Sequence, residues 1–300
     1  MAGFRHNDRV TGIYDEPEMY ELACAYRDVR GEVDALERWY VRHAPLAAED
    51  AHGPAAAEEG SAGSAGSAGA DGPGPGSVLE LAAVLELAAG PAEHALEFAR
   101  RGVSAVALDL NPAMCARARD KAQREGLDLE VVHADMRDFA LGRQFGLVIT
   151  MLNSVCHLMN LDDLVTHLRA AAGHTAPGGL YIMELAHPAD ILTMAPRTRS
   201  EWDTDLGGRR VHVHWGGADD AIDPVTQVTR EHVLVTVRDA RGSRTLTDVV
   251  PNRFWTGTEV TAAVRIAGGF TVAGYYGDFV DGVALSAPEA WRMIIVLRRE

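Results

Sequence analysis

The sequence predicts an α/β protein: a mostly parallel seven-stranded sheet with helices on both faces, an N-terminal helical cap and an inserted antiparallel β-meander. Three observations lead there. Between residues 84 and 185, short apolar runs alternate with amphipathic stretches, a rhythm that builds right-handed strand–helix–strand units and a parallel sheet. Between 209 and 250 the pattern changes to alternation with period two, as in antiparallel strands with one solvated face. Between 49 and 77 both patterns vanish into Ala, Gly, Ser, Pro and acids, with Ser-Ala-Gly three times over at 61–69.

The elements follow in order. Residues 15–43 place Met19, Leu22, Tyr26, Val29, Val33, Leu36 and Tyr40 at three- and four-residue steps. This is helical spacing, interrupted near Gly31, and segment 1–48 reads as a helical cap. Segment 49–77 reads as a flexible linker, because nothing in it offsets the entropy of ordering. The core, 78–190, opens on a tandem hexapeptide: "VLELAA" stands at 78–83 and again at 84–89. An even-numbered repeat preserves side-chain alternation, so either copy suits a strand. Only the second runs into a glycine and a helix start, which sets the first strand at 84–88 and its turn at 88–92. Strands at 104–109, 129–133, 145–150 and 179–185 follow, with helices at 92–101, 112–125 and 161–172. In 191–256, runs at 209–215, 226–238 and 244–250 form the meander, broken by "GGADDAIDP" and "DARGS". In 257–300, a helix at 257–267 and strands at 270–276 and 291–298 close the sheet.

Composition narrows the class. The chain has 300 residues, 47% of them hydrophobic, enough for a sizeable core. A formal charge of −15 argues against a nucleic-acid partner. No apolar run approaches the ~20 residues of a membrane span, and "MAGFRHNDRVTG" has no apolar signal core. Cys24, Cys115 and Cys156 show no metal-type spacing and suit a reducing cytoplasm. The reading is a soluble cytoplasmic protein without a metal site, and the exposed meander edge suits a homodimer.

The stretch "VLELAAGPAEH" reads as strand, turn and helix start, the form of a nucleotide-cofactor loop. A dinucleotide needs three glycines, because its pyrophosphate lies against bare backbone at a helix N-terminus. Here Ala88 and Ala92 stand at two of those places, and Glu93 would oppose a pyrophosphate. S-Adenosylmethionine has no phosphate and needs one close backbone approach, which Gly90 supplies. Asp109 ends the next strand, 19 residues on, where a carboxylate can accept both ribose hydroxyls. Asn111 before Pro112 serves as the helix N-cap. At the third strand end, Asp135 can accept from an adenine amino group while Met136 packs on the ring.

The segments "VLELAAGPAEHALEFARRG", "VALDLNPAMCARAR", "HADMRDFALGRQFGLVITMLNSVCHL" and "PGGLYIMEL" resemble the class I S-adenosylmethionine-dependent methyltransferases. "DMRDF", "MLNSVCHL" and the inserted meander are similar to small-molecule enzymes such as the deoxyaminosugar N-methyltransferases. The resemblance covers roughly 80–190 and implies a Rossmann-like methyltransferase fold. It implies that Glu86 and Gly90 meet the aminoacyl end of S-adenosylmethionine, Asp109 and Leu110 the ribose and adenosine, and Asp135 and Met136 the adenine. Met151 would border the methionine part, and Met114 joins the cofactor-binding set. In the cap, Tyr14, Tyr20 and Tyr26 are candidates to close over the cofactor. The expected product is S-adenosylhomocysteine, and the expected acceptor is an N or O of a small, secondary-metabolite molecule. A cyclase using the sulfonium as a charge, or a non-catalytic binder, is the alternative.

Methyl transfer from a sulfonium is an in-line displacement that needs alignment and a water-poor site. A hydroxyl acceptor gains from a base, for which His157 in "NSVCHL" and His187 in "MELAHP" are the candidates. His212 and His214 share one strand face without a third metal ligand at a familiar offset, a structural or dimer-facing pair. Trp202, Trp215, Arg253, Phe254, Trp255, Tyr275 and Tyr276 either line a pocket mouth or fill the meander core.

Overall fold

A computed structural model describes residues 12–44, 81–192, 200–217 and 219–300. The linker expected at 49–77 lies outside the described residues. Two helices come first, α1 (Pro17–Cys24) and α2 (Val29–His43). Their break falls before Gly31: Asp28 caps α2, and its carboxylate accepts the Gly31 N–H at 3.1 Å. A Cβ at residue 31 would lie 2.5 Å from Asp28 Oδ2, so glycine serves the close approach of the cap and does not break the helix.

Strand and helix then alternate: β1 (Ala83–Leu87), α3 (Glu93–Arg100), β2 (Ser104–Asp109), α4 (Pro112–Glu125), β3 (Leu129–His133), β4 (Phe145–Thr150), α5 (Leu161–His174) and β5 (Thr175–Ala186). The second hexapeptide supplies β1, as its glycine and helix start required. A short helix α6 (Ala189–Leu192) leads to the meander strands β6 (Glu201–Leu206), β7 (Arg209–Trp215), β8 (Val228–Asp239) and β9 (Gly242–Arg253). Helix α7 (Gly257–Ala267) and strands β10 (Phe270–Tyr276) and β11 (Arg292–Arg299) finish the chain.

The main sheet has seven strands in the order β3-β2-β1-β4-β5-β11-β10. The first five run parallel, and β11 is antiparallel to both its neighbours. Order reverses between β1 and β4, which opens a crevice above their carboxyl ends. The strands are apolar on both sides because both faces are covered. Phe145 and Val148 pack toward α5 and α7, with Leu164, Leu168, Val260 and Val264. Leu147 and Ile149 pack the other way, toward Leu36 and Trp39 of α2 and Phe98 of α3. Helix α2 therefore belongs to the helical layer of the sheet, while α1 and the 3-10 turn Ile13–Asp15 pack elsewhere.

They pack on the meander, a separate four-stranded sheet in the order β6-β7-β8-β9. Ile13, Met19 and Ala23 meet Val211, Val213, Val233, Val235, Val237, Leu246 and Val250. Strand β6 was absent from the expected meander: in "EWDTDL" only Trp202 and Leu206 carry the apolar face. Glu201, Asp203 and Asp205 are acids on an edge strand, a placement that discourages edge pairing. Among the described residues no helix is long and apolar enough to cross a membrane.

Candidate active site

The turn after β1 has an unusual backbone. Ala88, Gly90 and Ala92 all adopt left-handed φ, at 50°, 54° and 63°. Two alanines thus hold the conformation glycine favours, at ~1–2 kcal/mol of strain each. A Cβ at Gly90 would meet only Tyr20 Cε1, at 3.7 Å, so within the protein φ, not crowding, calls for glycine there. The turn after β4 is strained in the same way: Leu152 and Asn153 have φ of 50° and 58°. Such residues persist where surrounding structure over-determines them, commonly at ligand sites.

Asp109, ending β2, fastens the first turn. Its Oδ2 accepts the Gly90 N–H and its Oδ1 the Asn111 N–H, each at 2.7 Å. Burial raises its carboxyl pKa in spite of those two bonds, and each oxygen keeps a second lone pair for a ligand. Asn111 caps α4 through Ala113 N at 2.8 Å, as expected. Asp135 follows β3; hydrogen bonds from Arg137, which also reaches Asp163 at 3.0 Å, hold its pKa down.

A cavity of about 1820 Å³ runs from these strand ends to the meander. Ala88, Gly90, Asp109, Leu110, Met114, Asp135 and Met136 line one end. Tyr14, Tyr20, Tyr26 and His157 line its middle, and Trp202, Trp215, Glu231, Asn252 and Phe254 its meander end. Tyr14 and Tyr20 pack on one another with ring centroids 5.7 Å apart, and each meets Trp215. Tyr26 is about half exposed and packs edge-on against Trp202. Of the other aromatics, Trp255 lies buried beneath Arg253, Tyr276 stacks on Trp39, and Tyr275 bonds Thr261.

Two expected cofactor residues sit elsewhere. Met151 is buried and borders a smaller cavity of about 240 Å³ behind the turn. Glu86 borders the same small cavity, and its carboxylate is already engaged: Oε2 accepts the Ala95 N–H at 2.8 Å and Oε1 lies 3.2 Å from His94 Nδ1. Glu86 therefore fills the anion seat at the α3 N-terminus with the protein's own charge. Glu93, in the first turn of α3, pairs with Lys121. A pyrophosphate has no place at this helix end, whereas a phosphate-free adenosyl cofactor resting on Asp109 and Asp135 fits.

The two histidines part company. His157 Nε2 lies 3.1 Å from Tyr14 Oη, and the ring also bonds the Pro251 carbonyl. Burial lowers its pKa, so the ring is neutral near pH 7. His187 does not line the cavity. Its Nε2 donates to Leu285 O and its Nδ1 accepts the Ala189 N–H, both at 3.0 Å. Both nitrogens of His187 are thus engaged by backbone groups, away from the cavity.

Beneath the site lies a charge network that no motif announced. Arg27, from the connection between α1 and α2, donates to Glu184 of β5 through Nη1 and Nη2, each at 2.8 Å, and to Glu32 at 2.6 Å. Arg292 joins Glu184 at 3.0 Å, and His94 Nε2 reaches Glu32 at 2.8 Å. Burial alone would raise the Glu184 carboxyl, yet Arg27 and Arg292 hold it at about 2. Burial alone would strip His94 of its proton, yet Glu32 and Glu86 raise its pKa to about 9. Cations Arg27, Arg292 and His94 therefore balance carboxylates Glu32, Glu86 and Glu184. Glu184 also accepts the Leu152 N–H at 2.9 Å, which ties the network to the strained turn after β4. His167 forms a second buried chain, bonded to Met136 O and to Tyr181, which in turn meets Thr150.

A family profile described as methyltransferase domain matches residues 84–179. Residues 84–179 thus carry a methyltransferase domain. A dTDP-3-amino-3,4,6-trideoxy-α-D-glucopyranose N,N-dimethyltransferase of Streptomyces venezuelae is 31% identical over 105 residues, covering 35% of this chain and 43% of that enzyme. The chain thus spans under half the length of that relative. A cypemycin N-terminal methyltransferase of a Streptomyces species is 26% identical over 224 residues, covering 72% of this chain and 83% of that one. The S-adenosylmethionine-bound structure of CalS10, an amino pentose methyltransferase from Micromonospora echinaspora, superposes with a TM-score of 0.58 at 26% identity, over 74% of this chain and 84% of that one. The S-adenosylmethionine bound in that structure is a phosphate-free adenosyl cofactor, in keeping with the closed anion seat at α3 of this chain.

Proposed function

We propose that the chain transfers a methyl group from S-adenosylmethionine to an amine nitrogen of a small secondary-metabolite acceptor. One observation carries this: the cavity is continuous from Gly90, Asp109 and Asp135 to the meander wall, and at about 1820 Å³ it exceeds the ~300–1,000 Å³ of a one-ligand pocket. It has room for cofactor and acceptor together. When bound, S-adenosylmethionine supplies an electrophilic methyl on a sulfonium.

The chain's own residues then do the positioning. Asp109 and Asp135 hold the nucleoside end, while Tyr14, Tyr20 and Trp215 wall off water where the acceptor meets the methyl. A hydroxyl acceptor would need a base at that point. His157 is occupied by Tyr14 and Pro251 and His187 is outside the cavity, so neither histidine serves a hydroxyl acceptor as base, whereas a nitrogen acceptor needs only to be neutral. The names of the relatives, an amino-sugar N,N-dimethyltransferase and an N-terminal methyltransferase, support the same choice. Incubation with S-adenosylmethionine and a panel of amino sugars and free-amine peptides is expected to yield S-adenosylhomocysteine. Cofactor binding with no S-adenosylhomocysteine from any amine would reject methyl transfer.

A further inference from the structure

The alternation that turns Val233, Val235 and Val237 toward the α1 side of the meander turns Glu231 to the same side. There Glu231 lines the cavity. Its carboxylate accepts hydrogen bonds from Asn252 Nδ2 and from the Trp215 indole. Asn252 is itself fixed, its Oδ1 lying 3.1 Å from Cys156 Sγ. Gly216 makes room: a Cβ there would come 3.1 Å from Glu231 Cδ. Both partners of the carboxylate are neutral donors, and among the described residues no Lys, Arg or His pairs with Glu231. Among the described residues, the charged groups that face it are the acids Asp220, from the β7–β8 connection and paired with His232, and Asp190, from α6. Tyr14 and Cys156, on the elements packed against it, are neutral, since burial raises both, and His157 of the same turn is neutral too.

We propose that Glu231 receives the acceptor's ammonium group and takes its proton, so that the acceptor enters as a charged amine and reacts as a neutral one. This rests on the methyl-transfer reading and assigns the acceptor's protonation to a residue. In the step, an N–H bond of the ammonium breaks and its electron pair stays on nitrogen. The proton forms an O–H bond on the Glu231 carboxylate. An ion pair becomes a neutral amine beside a neutral carboxylic acid, and no net charge is created in the wall. Burial first, and the acids Asp220 and Asp190 with it, set the Glu231 carboxyl at about 7, close enough to an amine for the proton to be shared.

The test uses the full chain saturated with S-adenosylhomocysteine, titrated by calorimetry with D-glucosamine and with D-glucose at several pH values. A charge-assisted bond predicts that near neutral pH, where Glu231 is ionised in part and the sugar's amine still holds its proton, glucosamine binds tighter by ~10-fold or more. The preference is expected to shrink below pH 7, as Glu231 gains its own proton, and again at alkaline pH, as the amine loses its own, and to vanish in Glu231→Gln. Glu231→Asp, which keeps the charge on a shorter arm, is expected to retain part of it. Affinity for S-adenosylhomocysteine is expected to be unchanged in both variants, which shows that they fold. Equal binding of the two sugars by the wild type, or a preference that survives Glu231→Gln, overturns the proposal while leaving the methyltransferase reading in place. Failure of the wild type to bind S-adenosylhomocysteine removes that reading, and the proposal with it.

Discussion

Residues 88, 90 and 92 separate two reasons for a glycine that a sequence motif merges. Gly90 has space around it and a left-handed φ, so Gly90→Ala is expected to lower stability by ~1 kcal/mol from backbone strain. Ala88 already bears that strain at the cavity wall. Ala88→Gly is therefore expected to be neutral or to stabilise by up to ~1 kcal/mol, the relief being offset in part by a wider unfolded ensemble. Urea denaturation of the two variants checks both signs; a destabilised Ala88→Gly would show that the methyl packs favourably. Asp109 joins loop and ligand roles in one side chain. Asp109→Ala is expected to weaken S-adenosylmethionine binding ~10-fold or more, and unchanged affinity by calorimetry would remove Asp109 from the ribose. Glu231 was legible at this scale and went unread. In "TREHVLVTVR" the valines at 233, 235 and 237 fix the inward face, and an acid in register with them is a partly buried acid on the cavity wall.

Among the elements, those with a clear period were legible and the others were not. Strands β2, β3 and β4 fall at their expected bounds, because runs covered on both faces are apolar at every position. Strand β6 was missed because its inner face has only two apolar side chains, and the α1–α2 break was misplaced because a glycine under a helix cap looks like a helix end. The Arg27 network gave no local signal, since Arg27 and Glu184 are 157 residues apart in sequence. Only the acid inside the apolar run "YIMELA" hinted at a buried partner. Arg27→Met is expected to destabilise the protein by ~3–5 kcal/mol, because Glu32 and Glu184 would stay buried and charged. Guanidinium unfolding measures this. Adding Glu184→Gln to Arg27→Met is expected to recover part of the loss, as coupled partners do in a double-mutant cycle.

For the whole molecule, the balanced network ties stability to pH. His94 titrates at about 9 when folded, against an ordinary 6.5. The stability it contributes is present in full below pH ~6.5 and is lost as pH rises through about 9. Glu184, at about 2 against 4.5, contributes above pH ~4.5 and stops contributing as pH falls through 2. Thermal melting is expected to be highest between those limits and to decline toward pH 9. His94→Gln is expected to lower the plateau and flatten the alkaline decline; a decline that persists in this variant would assign it to other groups.

The cavity draws its walls from segments far apart in the chain: the 3-10 turn and α1, the carboxyl rim of the parallel strands, and the meander. A molecule seated there touches all three at once and cements them. Full occupancy by S-adenosylhomocysteine at a hundred times its dissociation constant is worth ~2.7 kcal/mol to the folded state. Melting temperature should therefore climb with ligand concentration, and the α1 segment and the meander should gain protection from amide exchange along with the nucleoside-binding strands.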